Sequence, residues 1–167
     1  MLSFIYDNDY DYHYNFINDI GGNEMNKVLV VYWSGTGNTE MMAESIAKGI
    51  TESGNEVVVK SVSDAQASEV EAFDYIAFGC PSMGAEVLEE SEFEPFFSDV
   101  EDKLGNKKVA LFGSYGWGDG EWMRDWESRV SSKGASLYKG EGLIVNSTPD
   151  DSALADCVDF GKGFMAF

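Results

Sequence analysis

The stretch "WSGTGNTE", Trp33 to Glu40, combines residue types suited to gripping an anion. Gly35 and Gly37 let a backbone turn tightly enough to aim several N–H groups at one point, and Ser34, Thr36, Asn38 and Thr39 add side-chain donors. A helix starting inside the stretch adds its positive dipole end, worth about 0.3 to 2 kcal/mol toward an anion. The stretch holds neither lysine nor arginine. It is therefore not a Walker loop, which needs Gly-Lys-Ser/Thr, and it lacks the third glycine of the dinucleotide fingerprint. A Gly-Ser-Thr turn between a strand and a helix also occurs without any ligand, so the pattern alone leaves both readings open.

Two later stretches carry chemistry of another kind. In "CPSMGAEVLEESEFE", Cys80 to Glu94, Met83 offers a soft thioether that can lie against an aromatic ring, and Gly84 a backbone free to change its peptide orientation. Glu86, Glu89, Glu90, Glu92 and Glu94 crowd the same stretch, and a solvated acidic loop is the plain alternative. In "GSYGWGDGEW", Gly113 to Trp122, glycines 113, 116, 118 and 120 bracket Tyr115 and Trp117, a segment too glycine-rich to bury both rings in a standard helix or strand. Rings exposed on such a loop need a flat partner, whereas Trp122 and Trp126 suit the core face of a following helix. Together the three stretches describe a pocket for a planar aromatic group attached to a phosphate.

The elements that must position them are read from periodicity. Short apolar runs, "KVLVVY" at 27–32, "EVVVKS" at 56–61, "YIAFG" at 75–79, "KVALFG" at 108–113 and "ASLY" with "GLIV" between 135 and 145, predict strands buried on both faces, as in a parallel sheet covered by helices. Met42, Ile46 and Ile50 predict a helix stopping at Gly54. Phe93, Phe96, Phe97, Val100 and Leu104 predict a second behind Ser91, with Pro95 tolerable near its first turn. Trp122, Trp126 and Val130 predict a third ending at Gly134, and Leu154, Cys157, Val158, Gly161 and Met165 a fourth introduced by Asp150 and Asp151. Positions 63–72 read as a weakly helical or irregular crossover. Right-handed crossovers then give an α/β, three-layer, doubly wound sandwich on a five-stranded parallel sheet. In such a sheet, ligands bind beyond the carboxyl ends of the strands, where all three stretches fall.

Composition narrows the function. The chain has 30 acidic and 11 basic residues, a formal net charge of -19 that argues against nucleic-acid or anionic-membrane partners and for a basic one, although acidity also serves solubility alone. The longest apolar run, "VLVVYW", is far short of the ~20 residues of a membrane span, and no cleavable secretory signal is apparent, which points to the cytoplasm. Cys80 and Cys157 show no C-x-x-C pairing and read as small buried apolar residues, and His13 is the sole histidine, so no metal site is expected. Residues 1–24 are acidic and Tyr-rich, with Met25 directly before the first strand signal. They are expected to be a disordered or weakly docked extension ahead of a domain at 25–167.

From about Met25 to the end, the chain resembles the flavodoxin family. "SGTGNTE", "EVLEESEFEPF" and "GSYGWGDG" are similar, nearly residue for residue, to those of clostridial members of the short-chain type. The short stretch between "ASLY" and Asp150 leaves no room for the long-chain insertion in the last strand. The resemblance implies strand order 2-1-3-4-5 with FMN at the switch point. It implies that Ser34, Thr36, Asn38 and Thr39, with the Gly35 and Gly37 backbone, hold the phosphate. Met83 and Trp117 would lie on opposite faces of the isoalloxazine, and the turn Met83, Gly84, Ala85, Glu86 would face its N5 edge. Ser82, Ser114, Tyr115, Gly116, Gly118 and Asp119 complete the implied site. In the family, the peptide after the glycine turns its carbonyl toward the protonated N5 and favours the neutral semiquinone. Ala85 stands where Asp or Asn is usual, and a type II′ turn needs positive φ only at Gly84.

The implied activity is low-potential, one-electron carriage between basic-surfaced redox proteins by a monomer, without catalysis of its own. The alternative on the same fold is a flavin-dependent NAD(P)H:quinone reductase, which needs room over the ring that Trp117 covers. A phosphorylatable receiver domain would require an acidic pair where "VYWSG" stands. The missing cation then has a use. A carboxylate about 8 Å from the flavin opposes the anion of full reduction by about 2 kcal/mol at an effective dielectric of about 20, roughly 90 mV per charge before salt screening. Neutral donors bind the cofactor without relieving that opposition.

Overall fold

The computed structural model describes residues 25–167, so the leader, His13 and the expectation attached to them lie outside the described residues. Among the described residues, six strands form the sheet: β1 (Lys27–Tyr32), β2 (Glu56–Ser61), β3 (Tyr75–Gly79), β4 (Lys108–Tyr115), β5 (Ser136–Leu137) and β6 (Leu143–Asn146). Every pairing between them is parallel, in the order β2-β1-β3-β4, with β5 and β6 both paired to β4. Tyr32 lies opposite Gly79, and Gly79 opposite Phe112, so the carboxyl ends of β1 and β3 finish level while β4 runs on to Tyr115.

The fifth strand position is one interrupted strand. Ser136 and Leu137 pair low on β4, the chain leaves the sheet at Tyr138–Gly140 with Lys139 at φ 60°, and Leu143–Asn146 rejoin opposite Phe112–Tyr115. Tyr138 occupies the break because its ring packs on Phe160 and Phe164, at centroid distances of 5.0 and 5.6 Å.

Four α-helices of the described residues flank the sheet: α1 (Asn38–Glu52), α2 (Phe93–Val100), α3 (Glu121–Ser132) and α4 (Asp151–Met165). Along β1 the side chains alternate between two cores, as period-two geometry requires. Val28 and Val30 meet Met42, Ile46 and Ile50 of α1 with Phe160 and Phe164 of α4, while Leu29 and Val31 share a core with Phe93 and Phe97 of α2 and Trp122 and Trp126 of α3. The α1 and α4 backbones touch: a Cβ on Gly49 would run into the Val158 carbonyl, and one on Gly161 into that of Ile46.

Two details, in α4 and β2, depart from the periodicity, while the Asp150 cap and the crossover agree with it. In α4, Cys157 and Gly161 are buried as expected, but Phe160 and Phe164 fill the core in place of Leu154, Val158 and Met165, because the close approach at Gly161 fixes the rotation of the helix. Asp150 caps α4 by accepting from the Ala153 N–H at 2.8 Å. Strand β2 is half-buried, with Val59 39% exposed, since it forms the edge of the sheet. The crossover after it is a pair of 3-10 turns, Val62–Asp64 and Ala67–Ala72.

Candidate functional site

The carboxyl ends of β1, β3 and β4 open onto a cavity of about 310 Å³. One end is the β1–α1 loop. Gly37 takes φ 89° as the residue before α1, a conformation open to glycine at little cost. Ser34 Oγ accepts from the N–H groups of Gly37 (3.1 Å) and Glu40 (3.2 Å), which pins the loop and leaves the hydroxyl proton free to donate. Asn38 and Thr39 open α1, and helix geometry gives their N–H groups no intrahelical acceptor. Ser34, Gly35, Thr36, Asn38 and Thr39 all line the cavity, and among the described residues no lysine or arginine does. Gly37 acts from outside the lining, by shaping the turn.

The floor is hydroxylic. Thr39 and Ser114 are buried with their hydroxyls 3.1 Å apart, and Ser82 donates its N–H to the Ser114 carbonyl at 2.9 Å. Ser82 Oγ is buried too and has no hydrogen-bond partner among the described residues.

At the other end stand Met83 and Trp117. Met83 and Val87 exchange both backbone hydrogen bonds at 2.9 Å, closing a tight turn in which Gly84 has φ 51° and Glu86 φ 53°. Trp117 is 54% exposed, and its indole N–H donates to the Gly84 carbonyl at 3.2 Å, tying the two walls together. Tyr115 departs from the expectation of a ring carried on a loop: it ends β4 and is half-buried, its ring 5.6 Å from that of Trp122. Ser114, Tyr115 and Gly116 line the cavity, whereas Gly84, Ala85, Glu86, Gly118 and Asp119 stand outside its lining.

The acidic stretch is not the solvated loop that its composition suggests. Glu86 Oε1 accepts from the N–H groups of Asp119, Gly120 and Glu121, at 3.1 to 3.2 Å, and so caps α3 from the opposite wall. Glu89 is buried and caps α2, accepting from Ser91, Glu92 and Phe93 at 2.8 to 2.9 Å. Burial alone would raise the Glu89 carboxyl, but the N–H donors of Phe93, Glu92 and Ser91 outweigh it and hold it below its ordinary 4.5. Glu92 accepts the indole N–H of Trp33 at 2.8 Å, and Glu94 pairs with Arg129 at 2.8 Å. Both cysteines are buried free thiols, and burial raises each.

Three lining residues escaped the sequence reading: Trp33, Pro81 and Ser147. Trp33 stands inside the quoted stretch, and an aromatic at the end of a strand was the available signal. Ser147 carries none, because its place follows from its N–H bonding the Tyr115 carbonyl at 2.7 Å after the interrupted strand.

With this geometry in hand, likeness to known proteins is informative. The family model described as Flavodoxin matches residues 30–161. The flavodoxin of Clostridium beijerinckii is 56% identical over 133 residues, covering 80% of this chain and 95% of its own length. That of Megasphaera elsdenii is 46% identical over 135 residues, covering 81% and 96%. The solution structure of two-electron reduced Megasphaera elsdenii flavodoxin matches with a TM-score of 0.76 at 44% identity, over 84% of this chain and 99% of that one. Sheet order, the cavity at its switch point and these likenesses agree, and the chain belongs to the flavodoxin family.

Proposed function

We infer that the cavity holds FMN and that the protein carries single electrons between redox proteins. The observation that carries this reading is the meeting, in one cavity, of a helix N-terminus ringed by neutral donors with a Met83–Trp117 slot. The fit is tested by Ser82: its buried Oγ lacks a partner, an omission that costs about 1 to 3 kcal/mol, and the oxygens of a polyol or phosphate chain running from cradle to slot relieve it.

FMN, when bound, supplies reversible one-electron transfer at its ring. The chain does the rest. Ser34, Thr36, Asn38 and Thr39, with the Gly35 and Gly37 backbone, hold the phosphate by hydrogen bonds and the α1 dipole. Ser82 and Ser114 serve the linking chain, and Met83 and Trp117 exclude water from the ring faces. Tyr115 and Gly116 shape the wall, while Glu86 fixes Gly118 and Asp119 by capping the helix behind them. The Gly84 carbonyl is the acceptor for the ring edge. It accepts from Trp117 here, and the absence of a side chain at Gly84, with small Ala85 next to it, lets that peptide reorient at low cost.

The couple works at low potential because, among the described residues, no cation lines the cavity. Exposed Glu90, Glu121 and Asp125 share the wall loops and α3 with exposed Val87 and Trp117, a surface suited to a basic partner meeting a monomer. No helix among the described residues is long and apolar enough to cross a membrane, and the free thiols suit the reducing cytoplasm. The test is the visible spectrum of the purified protein during stepwise reduction. A yellow protein that accumulates a one-electron-reduced species supports the reading, and a colourless one that fails to quench added FMN overturns it.

A further inference from the structure

Trp33 is half-buried between the phosphate cradle and the segment leading into α2. Its ring packs directly against Gly35, where an added Cβ would lie 2.8 Å from the ring. Its backbone N–H donates to the Gly79 carbonyl at 2.9 Å, and its indole N–H donates to Glu92 at 2.8 Å across 59 positions of sequence. Glu92 is held in turn, because its own N–H donates to the buried Glu89 carboxylate at 2.9 Å, and the Glu89 N–H rests on Cys80 Sγ. A chain of contacts thus runs from the end of β3 to the peptide of Gly35.

This matters because the cradle grips its anion with dipoles and not with charge. Amides and hydroxyls hold a dianion only when they converge on it, and a loop with two glycines loses that convergence unless something backs it. The indole ring fills the space beneath Gly35, and the hydrogen bond to Glu92 fixes the rotation of the ring.

We propose that Trp33 and Glu92 form a positioning pair that pre-organises the phosphate cradle, so that the phosphate-dependent share of cofactor affinity depends on the indole hydrogen bond. The proposal rests on the FMN reading of the cavity. The pair is anchored at Gly35 and Glu89 and, among the described residues, makes no hydrogen bond to Met83 or Trp117, so its loss weakens binding of a flavin that carries phosphate and spares one that does not. A carboxylate beside a phosphate also repels it, so removing the charge of Glu92 and removing its hydrogen bond act in opposite directions. Glu92→Gln and Glu92→Ala both delete the charge, and of the two only glutamine keeps an acceptor for the indole N–H.

The experiment titrates apoprotein of the full chain with FMN and with riboflavin, read by quenching of flavin fluorescence. Trp33→Phe keeps an aromatic ring and loses the donor, and it weakens FMN about tenfold, the scale of one charge-assisted hydrogen bond, with riboflavin within about twofold of wild type. Glu92→Ala binds FMN about tenfold more weakly than Glu92→Gln, again with riboflavin unchanged. Unchanged riboflavin binding also shows that each variant is folded. Equal losses for both flavins, or no loss for either, overturn the proposal and leave the FMN reading intact. Wild-type protein that binds neither flavin overturns that reading as well.

Discussion

Replacing Glu89 tests the finding that the acidic stretch is structural. Its carboxylate accepts three backbone N–H groups at the start of α2, and Ser91 and Glu92 are exposed while Phe93 is buried. In Glu89→Ala, water replaces the acceptor at the two exposed amides, a loss typical of a helix cap, while the Phe93 amide is left buried and unpaired. Together these cost about 3 kcal/mol. For a domain of this size that lowers the thermal midpoint by roughly 10 °C. Glu89→Gln keeps one oxygen, enough for Glu92 and Phe93, which share Oε2, and costs about 1 kcal/mol.

The pH dependence has a definite sign. The folded carboxyl titrates below its ordinary 4.5, so the unfolded chain binds more protons as pH falls. The advantage of wild type over Glu89→Gln is complete above 4.5 and vanishes as pH drops through the folded value. Urea unfolding of the three proteins at neutral pH and at several acidic values measures both effects. An alanine variant within about 0.5 kcal/mol of wild type, or a wild-type advantage over glutamine that does not shrink in acid, refutes the reasoning.

Other outcomes follow from single contacts. Gly49→Ala should destabilise by more than about 2 kcal/mol in urea because the methyl meets the Val158 carbonyl, although helix propensity alone favours alanine by about 1 kcal/mol, so the sign of the change decides between packing and propensity. Ser82→Ala should weaken FMN about tenfold by fluorescence titration while leaving the apoprotein unfolding midpoint unchanged or higher, since it removes an unpaired buried hydroxyl. Thr36→Lys should raise the lower potential by up to roughly 90 mV in spectroelectrochemical titration at low salt, the scale of one charge about 8 Å away, and the shift should shrink as salt is added.

The fold was legible because its signals are local. Apolar runs marked β1, β3 and β4, the stripe Met42–Ile46–Ile50 marked α1, and Asp150 marked its own cap. The shared place of Ser34, Thr36, Asn38 and Thr39 on one cavity wall was legible for the same reason, since they stand within one turn of one another. The glutamates were not. Glu86 serves amides of 119–121, Glu92 serves Trp33, and Glu94 serves Arg129, and in composition each looks like any solvated acid.

Sequence alone therefore determined the layered α/β architecture and the uncharged polar character of the β1–α1 loop, because periodicity, turn chemistry and charge are properties of short stretches. Only the tertiary structure decided that β2 is a half-exposed edge, that the last strand breaks at Tyr138, that Phe160 and Phe164 fill the α4 core, and that the Trp33 ring packs against Gly35. Those outcomes depend on which distant backbones come into contact, and burial and hydrogen-bond partners are set by that contact and not by the identity of the residue.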